Sequence, residues 1–433
     1  MTNSVSLIFN QSNHLSGEID IPGDKSITHR AIILGSLSNG KVNISNALLS
    51  EDCKRTLNAF RMLGVRILLN DQIISIYGNG LDSLSKPSTQ IDAGNSGTLA
   101  RLISGILAVQ NFDSSITGDE SLLQRPMRRI IDPLSDIGAL INSNSGRLPL
   151  AFAKSTINPI EYNLSIPSAQ IKSCLILASL FIDGESTISE NIKTRDHTER
   201  MLQYLDYPIA ICDKSISLSG GGTISAKDIT IPSDISSASF FIVGSLIKPK
   251  SNVILKSIGV NSLRTGIIEI LIKMGADIKL SNLRNIGNEP VADIIIKHSK
   301  LKPINLSGDI ISRLIDELPI LFIACACCNG TSVINDIEEL RHKESDRIKS
   351  MEEGLMNLGI DVETSINSIK IKGGDFTGGI VNSYGDHRIA MSFLIAGLVS
   401  RKPITVIDTE NINTSFPDFI DILKCQNNEI YSI

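Results

Sequence analysis

Six times along this chain a short polar cluster opens a long apolar run, and that recurrence limits the fold more than any single motif does. The clusters are Lys25-Ser26 before Ala31–Leu37, Asn95-Ser96-Gly97-Thr98 before Leu99–Val109, and Ser168-Ala169-Gln170 before Ile171–Phe181. Then come Ser236-Ser237 before Ala238–Ile247, Asp316-Glu317 before Leu318–Cys328, and Asp386-His387-Arg388 before Ile389–Val399. The starts at 25, 95, 168, 236, 316 and 386 lie 70, 73, 68, 80 and 70 residues apart. Spacing this even marks repeated supersecondary units.

A second signature alternates with the first. Leu57–Ile67, Ile130–Ile141, Ile267–Ile278 and Met351–Val362 each read as an amphipathic helix closed by Gly64, Gly138, Gly275 or Gly359 and followed by a strand. Met201–Ile211 and Phe419–Ile430 read as copies that lost the glycine. Short β-rich segments such as Gln72–Tyr77 and Ser368–Ile371 fill the gaps. Two helices and several strands per unit are too many for a solenoid repeat of about 20–50 residues, so the six units are expected as two groups of three. The apolar helices have little polar surface and should be buried, with sheets outside them and their polar N-termini aimed at a common region. Helix N-termini favour anions, because their first N–H groups lack partners and the helix dipole is positive there.

The net charge of −5 excludes a general nucleic-acid surface, so anions must be met by local clusters of Lys and Arg. Tryptophan is absent, which leaves an aliphatic core. No signal peptide is read in residues 1–13, and the runs Phe240–Ile247 and Pro319–Cys328 are too short to span a bilayer. Seven cysteines, without zinc spacing, are expected as reduced thiols in the cytoplasm, with Cys325, Cys327 and Cys328 in the core. No P-loop or dinucleotide fingerprint occurs, so a nucleotide cofactor has no support.

The densest ionic stretch, Arg341 to Arg347, follows an expected strand Ser332–Ile337. If it is helical, the i,i+4 relation puts Lys343 and Arg347 on one side with Glu344 beside them. A solvated charge run is the alternative. Arg388, so near a buried helix, needs an anionic partner, and Asp386 can be an N-cap. Arg125 precedes a helix by the same logic, whereas Arg128 and Arg129 are expected to face solvent. Arg195 is a further cationic group, with Asp196 or Thr198 as a cap. Asp316, at the mouth of an almost wholly apolar helix, is the acid whose environment can shift its proton affinity most. Lys25, Ser26, Thr28 and Arg30 fit either a polar helix cap or an anion site.

Together these residues identify a family. PGDKSITHR (22–30), NSGTLARL (95–102), QRPM (124–127), SAQIKS (168–173), TRDHTE (194–199), LIDELP (314–319), RHKESDR (341–347) and YGDHRIAM (384–391) resemble the motifs of EPSP synthase, 3-phosphoshikimate 1-carboxyvinyltransferase, in the family's order and across essentially the whole chain. The forms SAQ, TRDHTE and KESDR resemble its class II branch. The resemblance implies an α/β enolpyruvyl transferase fold, an inside-out α/β barrel in two domains, each of three βαβαββ-like units about a pseudo-threefold axis. It places one domain at 22–231 and the other, discontinuous, at 1–21 plus 232–433, with hinge crossovers near 21–22 and 231–232 and domain closure over substrate.

The implied reaction moves the enolpyruvyl group of phosphoenolpyruvate to the 5-hydroxyl of shikimate 3-phosphate and releases phosphate, a step toward chorismate and the aromatic amino acids. It proceeds by addition and elimination through a tetrahedral intermediate, without metal or organic cofactor. Carried over by motif, Asp316 takes the hydroxyl proton, and Lys25 and Glu344 handle proton transfer at the methylene and phosphate. Lys25, Ser26, Arg30, Ser168, Ala169, Gln170, Arg195, Asp316 and Lys343 would bind shikimate 3-phosphate. Lys25, Gly97, Arg125, Gln170, Arg347 and Arg388 would bind phosphoenolpyruvate. The resemblance further implies a cytoplasmic monomer without nucleic-acid or membrane partners.

Two positions depart from the family pattern. Thr414 stands where many members carry a Lys two residues before Phe-Pro, and Glu339 aligns with a substrate-binding Asn. UDP-N-acetylglucosamine enolpyruvyl transferase, which shares the fold, is the nearest alternative, but it has Lys-Asn in place of Lys25-Ser26 and a loop Cys that 113–124 lacks. A non-catalytic phosphate-binding homologue would be expected to lose Asp316 or Glu344, and both are present.

Overall fold

In the computed structural model, which describes residues 5–11, 13–70 and 72–432, each polar cluster opens a helix. These helices are Lys25–Leu37, Gly97–Leu107, Ala169–Ser179, Ile235–Ile247, Leu318–Ala326 and His387–Ala396. Their starts are set by side chains that satisfy otherwise unpaired backbone N–H groups. Asp24 accepts from the Ile27 amide, Ser96 from Leu99, Ser168 from Ile171, Asp234 from Ser236 and Asp386 from Arg388. The Leu318 helix has no such cap and carries Pro319 in its first turn, where a missing N–H costs nothing. Every residue of the Ile235 and Leu318 helices is buried, the expected fate of a helix that is apolar all round.

The chain forms two compact units, Gly23–Pro232 with Asn285–Glu289, and Met1–Pro22 with Ser233–Arg284 and Pro290–Ile433. The switches fall after Pro22 and Pro232, one residue later than the crossovers read from the sequence. The short segment Asn285–Glu289 groups with the first unit because Glu289 meets the buried His197 at 2.7 Å and Arg200 Nη1 donates to the Asn288 carbonyl at 3.0 Å. In that unit the Asp24 amide donates to the Pro232 carbonyl at 2.8 Å, and in the other the Asp234 amide donates to Pro22 at 2.9 Å.

Each unit contains three four-stranded sheets built to one plan. A short strand pairs parallel with a second, which pairs antiparallel with a third, which pairs antiparallel with a fourth. Ile229–Thr230, Asn39–Ser45, Ile73–Asn79 and Arg66–Asn70 show it, with Val42 and Ile67 both opposite Ile76, buried on one face. The chain's first strands complete two repeats of the discontinuous unit. Ser16–Ile19 pairs parallel with Asn252–Gly259, and Leu7–Gln11 lies between Ile404–Ile407 and Glu429–Ser432.

The second signature also has its physical cause. Gly64, Gly138, Gly275 and Gly359 end their helices at φ of 91°, 110°, 95° and 86°. In the two copies without glycine, Asp206 and Asn427 take that left-handed position, both at φ 58°. Between the Gly97 and Ala169 helices, a Cβ on Gly105 would stand 2.1 Å from the Cys174 carbonyl oxygen, so glycine permits the close backbone approach.

Candidate active site

In the Gly23–Pro232 unit, hydrogen bonds tie the three repeat starts together. Lys25 opens its helix with Nζ 3.0 Å from Asp52 Oδ2. Arg30, one turn on and 3% exposed, donates through Nη1 to the Ser26 carbonyl (2.9 Å), through Nε to Thr198 Oγ1 (2.7 Å) and through Nη2 to Ser173 Oγ (2.7 Å). It thereby links the helices that follow Ser26, Ser168 and Arg195. Gln170 joins the second start: its Oε1 accepts from Arg101 Nη1 at 2.5 Å, and its Nε2 donates to Thr98 Oγ1 at 3.1 Å. Arg125 closes the short helix Glu120–Gln124, and its Nη2 donates to Asn95 Oδ1 at 2.5 Å. A Cβ on Gly97 would lie 3.2 Å from Arg125 Nη1 and 3.5 Å from Arg101 Nη1, so the missing side chain leaves space beside two guanidinium groups. Arg195 follows the buried Thr194 in the loop before helix His197–Tyr204, and Asp196, at the cap position, pairs with Arg200 Nε at 2.8 Å instead of bonding a backbone amide. Arg128 is exposed and Arg129 half-buried.

The other unit mixes charges of both signs. Arg347, 1% exposed, donates through Nε to Asp386 Oδ2 (2.7 Å) and through Nη2 to Glu344 Oε2 (2.6 Å). Burial alone would loosen the guanidinium proton, but Asp386 and Glu344 more than offset it, and the pKa lies above its ordinary value. Arg347 Nη1 is buried without a hydrogen-bond partner among the described residues, 3.8 Å from Asp316 Oδ1. Lys343 Nζ stands 3.7 Å from that same oxygen. Arg388 Nη1 donates to the Asp316 carbonyl at 2.9 Å and lies 4.0 Å from Glu317 Oε1. Asp316 is thus held by its backbone, with two cations flanking its carboxylate beyond hydrogen-bond length.

One reading of the sequence is corrected here. The stretch 341–347 is not one helix: a single turn covers Glu338–His342, Lys343 is extended, and the next helix starts at Arg347 with Asp346 as its cap. Lys343 and Arg347 meet through Asp316, not through helical spacing. The start at Ser236, like that at Asp386, meets a buried arginine. Asp234 and Ser236 are bonded by the buried Arg264, at 3.3 and 2.7 Å, and Ser236 Oγ donates to Glu317, so that start is satisfied within the protein.

Sequence reasoning missed Asp52, Arg101 and the ionic role of Asp386. Asp52 was visible only as an acid in a first helical turn, and Arg101 as the residue one turn beyond Gly97. Among the described residues no three His, Cys, Asp or Glu side chains are grouped to hold a metal ion, and no helix is long and apolar enough to cross a membrane. Cys325 and Cys328 are buried and Cys327 half-buried, and burial pushes the Cys325 thiol up to about 12.

Solved structures show the same fold. An EPSP synthase from Acinetobacter baumannii superposes with a TM-score of 0.89 at 43% identity, covering 100% of both chains. This is the two-domain α/β fold of the enolpyruvyl transferases. The profile of EPSP synthase (3-phosphoshikimate 1-carboxyvinyltransferase) matches residues 9–423, and the chain belongs to that family of transferases. Relatives named 3-phosphoshikimate 1-carboxyvinyltransferase include one from Ruthia magnifica, 50% identical over 95% of each chain, and one from Methylococcus capsulatus, 47% identical over 95% of this chain and 94% of its own.

Proposed function

We propose that the chain transfers the enolpyruvyl group of phosphoenolpyruvate to the 5-hydroxyl of shikimate 3-phosphate. The observation that carries this reading is the Asp316 carboxylate, flanked by Lys343 and Arg347 at 3.7 and 3.8 Å and anchored at its backbone by Arg388. A carboxylate so placed, within reach of two cations, suits a general base for a hydroxyl on an anionic substrate. Glu344 and Lys25 serve proton transfer at the methylene carbon and the departing phosphate. As the C–O bond to the hydroxyl forms, the methylene gains a proton. The intermediate then loses that methyl proton and phosphate together, restoring the double bond.

Ser26, Arg30, Ser168, Ala169, Gln170 and Arg195, with Lys25 and Lys343, hold shikimate 3-phosphate in this reading. Gly97, Arg125, Gln170, Arg347 and Arg388, with Lys25, hold phosphoenolpyruvate. The buried Arg347 Nη1 has the geometry for a phosphate or carboxylate oxygen: its other two nitrogens are fixed by acids, so the donor is oriented before a ligand arrives. The chain acts in this reading as a cytoplasmic monomer. The test is phosphate release from phosphoenolpyruvate with shikimate 3-phosphate or UDP-N-acetylglucosamine as acceptor. Release with the first acceptor alone is expected, and release only with the second, or with neither, overturns the proposal.

A further inference from the structure

Behind the residues assigned to shikimate 3-phosphate lies an ionic cluster that the reaction does not use. Lys172 sits two residues after Gln170 in helix Ala169–Ser179 and is 1% exposed. Its ammonium donates to Glu190 Oε1 at 2.9 Å and to the Thr194 carbonyl at 3.1 Å, and it lies 2.8 Å from Glu199 Oε1. Three acceptors match the three N–H bonds of a lysine ammonium. The other oxygen of Glu190 accepts from the Thr194 amide at 3.1 Å and from the Thr194 hydroxyl at 2.7 Å. Thr194 is therefore fixed at its N–H, its carbonyl and its hydroxyl, and the next residue is Arg195. One residue away on each helix a parallel set of buried bonds runs to Arg30: Ser173 Oγ accepts from Thr198 Oγ1 at 2.8 Å, and both hydroxyls accept from Arg30.

We infer that the Lys172–Glu190 pair is a positioning device that sets Arg195 for the acceptor substrate by fixing Thr194. The inference rests on the proposed reading of Arg195 as a shikimate 3-phosphate ligand. Stability gives no better reason for the pair, since well-packed apolar side chains often replace a buried ion pair at no loss. An apolar substitute, however, would leave three polar groups of Thr194 buried and undirected. Glu199 is the lesser member of the cluster: its Oε2 has no hydrogen-bond partner among the described residues. Burial lifts its pKa above the usual range even with Lys172 opposing, so an uncharged amide there changes little.

The experiment is steady-state kinetics on the full chain, with thermal melting as a control. Glu190→Gln puts an amide where Thr194 or Lys172 needs an acceptor. It is expected to raise KM for shikimate 3-phosphate about tenfold, the loss of about one directed hydrogen bond to a charged group. The kcat, and the KM for phosphoenolpyruvate at saturating acceptor, should stay within about twofold on the same argument. Thr194→Val should raise the acceptor KM in the same direction, and Thr194→Ser, which keeps the hydroxyl, should restore it. Glu199→Gln should leave all three constants near wild type. If Glu190→Gln does not fold, the Thr194 pair decides. A fall in kcat and melting temperature with the acceptor KM unchanged would reduce the cluster to a structural role and overturn the inference. A wild-type chain inactive with shikimate 3-phosphate would remove the proposed reaction and this inference with it, whereas an active wild type with unchanged acceptor KM in these variants removes the inference alone.

Discussion

Two groups of cations, one in each unit, differ in the partners that surround them. In Gly23–Pro232, Arg30, Arg101 and Arg125 donate to hydroxyls, carbonyls and side-chain amides, among them Ser173, Thr198, Gln170 and Asn95. In the discontinuous unit, Lys343, Arg347 and Arg388 are interleaved with Asp316, Glu317, Glu344 and Asp386. Neutral acceptors orient a guanidinium without cancelling its charge, which suits the capture of a phosphate. Carboxylates neutralise the cations and themselves exchange protons, which suits chemistry at a hydroxyl and a methylene. In the proposed function the general base Asp316 and Glu344 both come from the mixed-charge set, while Lys25 joins proton transfer from the other unit.

The largest effect should come from the mixed unit. Asp316→Ala is expected to lower kcat about 10²–10⁴-fold, the usual worth of a positioned general base, with shikimate 3-phosphate still bound. Calorimetry showing lost binding, together with turnover retained, would reverse the assignment. Lys25 is the next test, because its ammonium, unlike a purely binding cation in the proposed function, serves both substrates and proton transfer, and it is paired with Asp52 at 3.0 Å. Lys25→Met should therefore weaken both substrates, each by about 10–100-fold in KM for a lost charge-assisted bond, and lower kcat as well. Arg125→Gln should behave as pure binding, raising KM for phosphoenolpyruvate about tenfold while kcat stays within about threefold. A kcat loss without a KM change would remove Arg125 from the phosphoenolpyruvate ligands.

The smallest effect is on stability. His29 is fully buried behind Arg30, and burial, with help from Lys25 and Arg30, lowers its pKa from 6.5 to about 3. The unfolded chain takes up a proton below pH 6.5 that the folded chain refuses until about pH 3, so stability falls as pH falls through that window. Urea titrations should show wild type losing about 1.4 kcal/mol per pH unit more than His29→Gln between those limits. Equal slopes would mean that the ring is protonated in the fold.

The repeat was legible because it is local. Caps, apolar runs and left-handed glycines act within a few residues, so the six helix starts and the glycine-closed helices could be read from spacing. Asp206 and Asn427 were harder, since only backbone conformation shows that they replace glycine. The stretch 341–347 misled because its charges fit helical spacing, while a turn at Glu338–His342 and the cap at Asp346 broke the helix.

The order of repeats, the family motifs and the identity of Asp316, Glu344, Lys25 and the arginines as candidates were determined by sequence alone. Which partner each charge meets was decided by tertiary structure. Arg347 finds Asp386 39 residues away, Lys172 finds Glu190 18 residues away, and Arg30 finds Thr198 168 residues away. Sequence spacing carries no information about such pairs, because their distances are set by how buried helices pack and not by the period of any one element. The same packing set the Ser236 start against Arg264 and Glu317, partners that its local sequence does not announce.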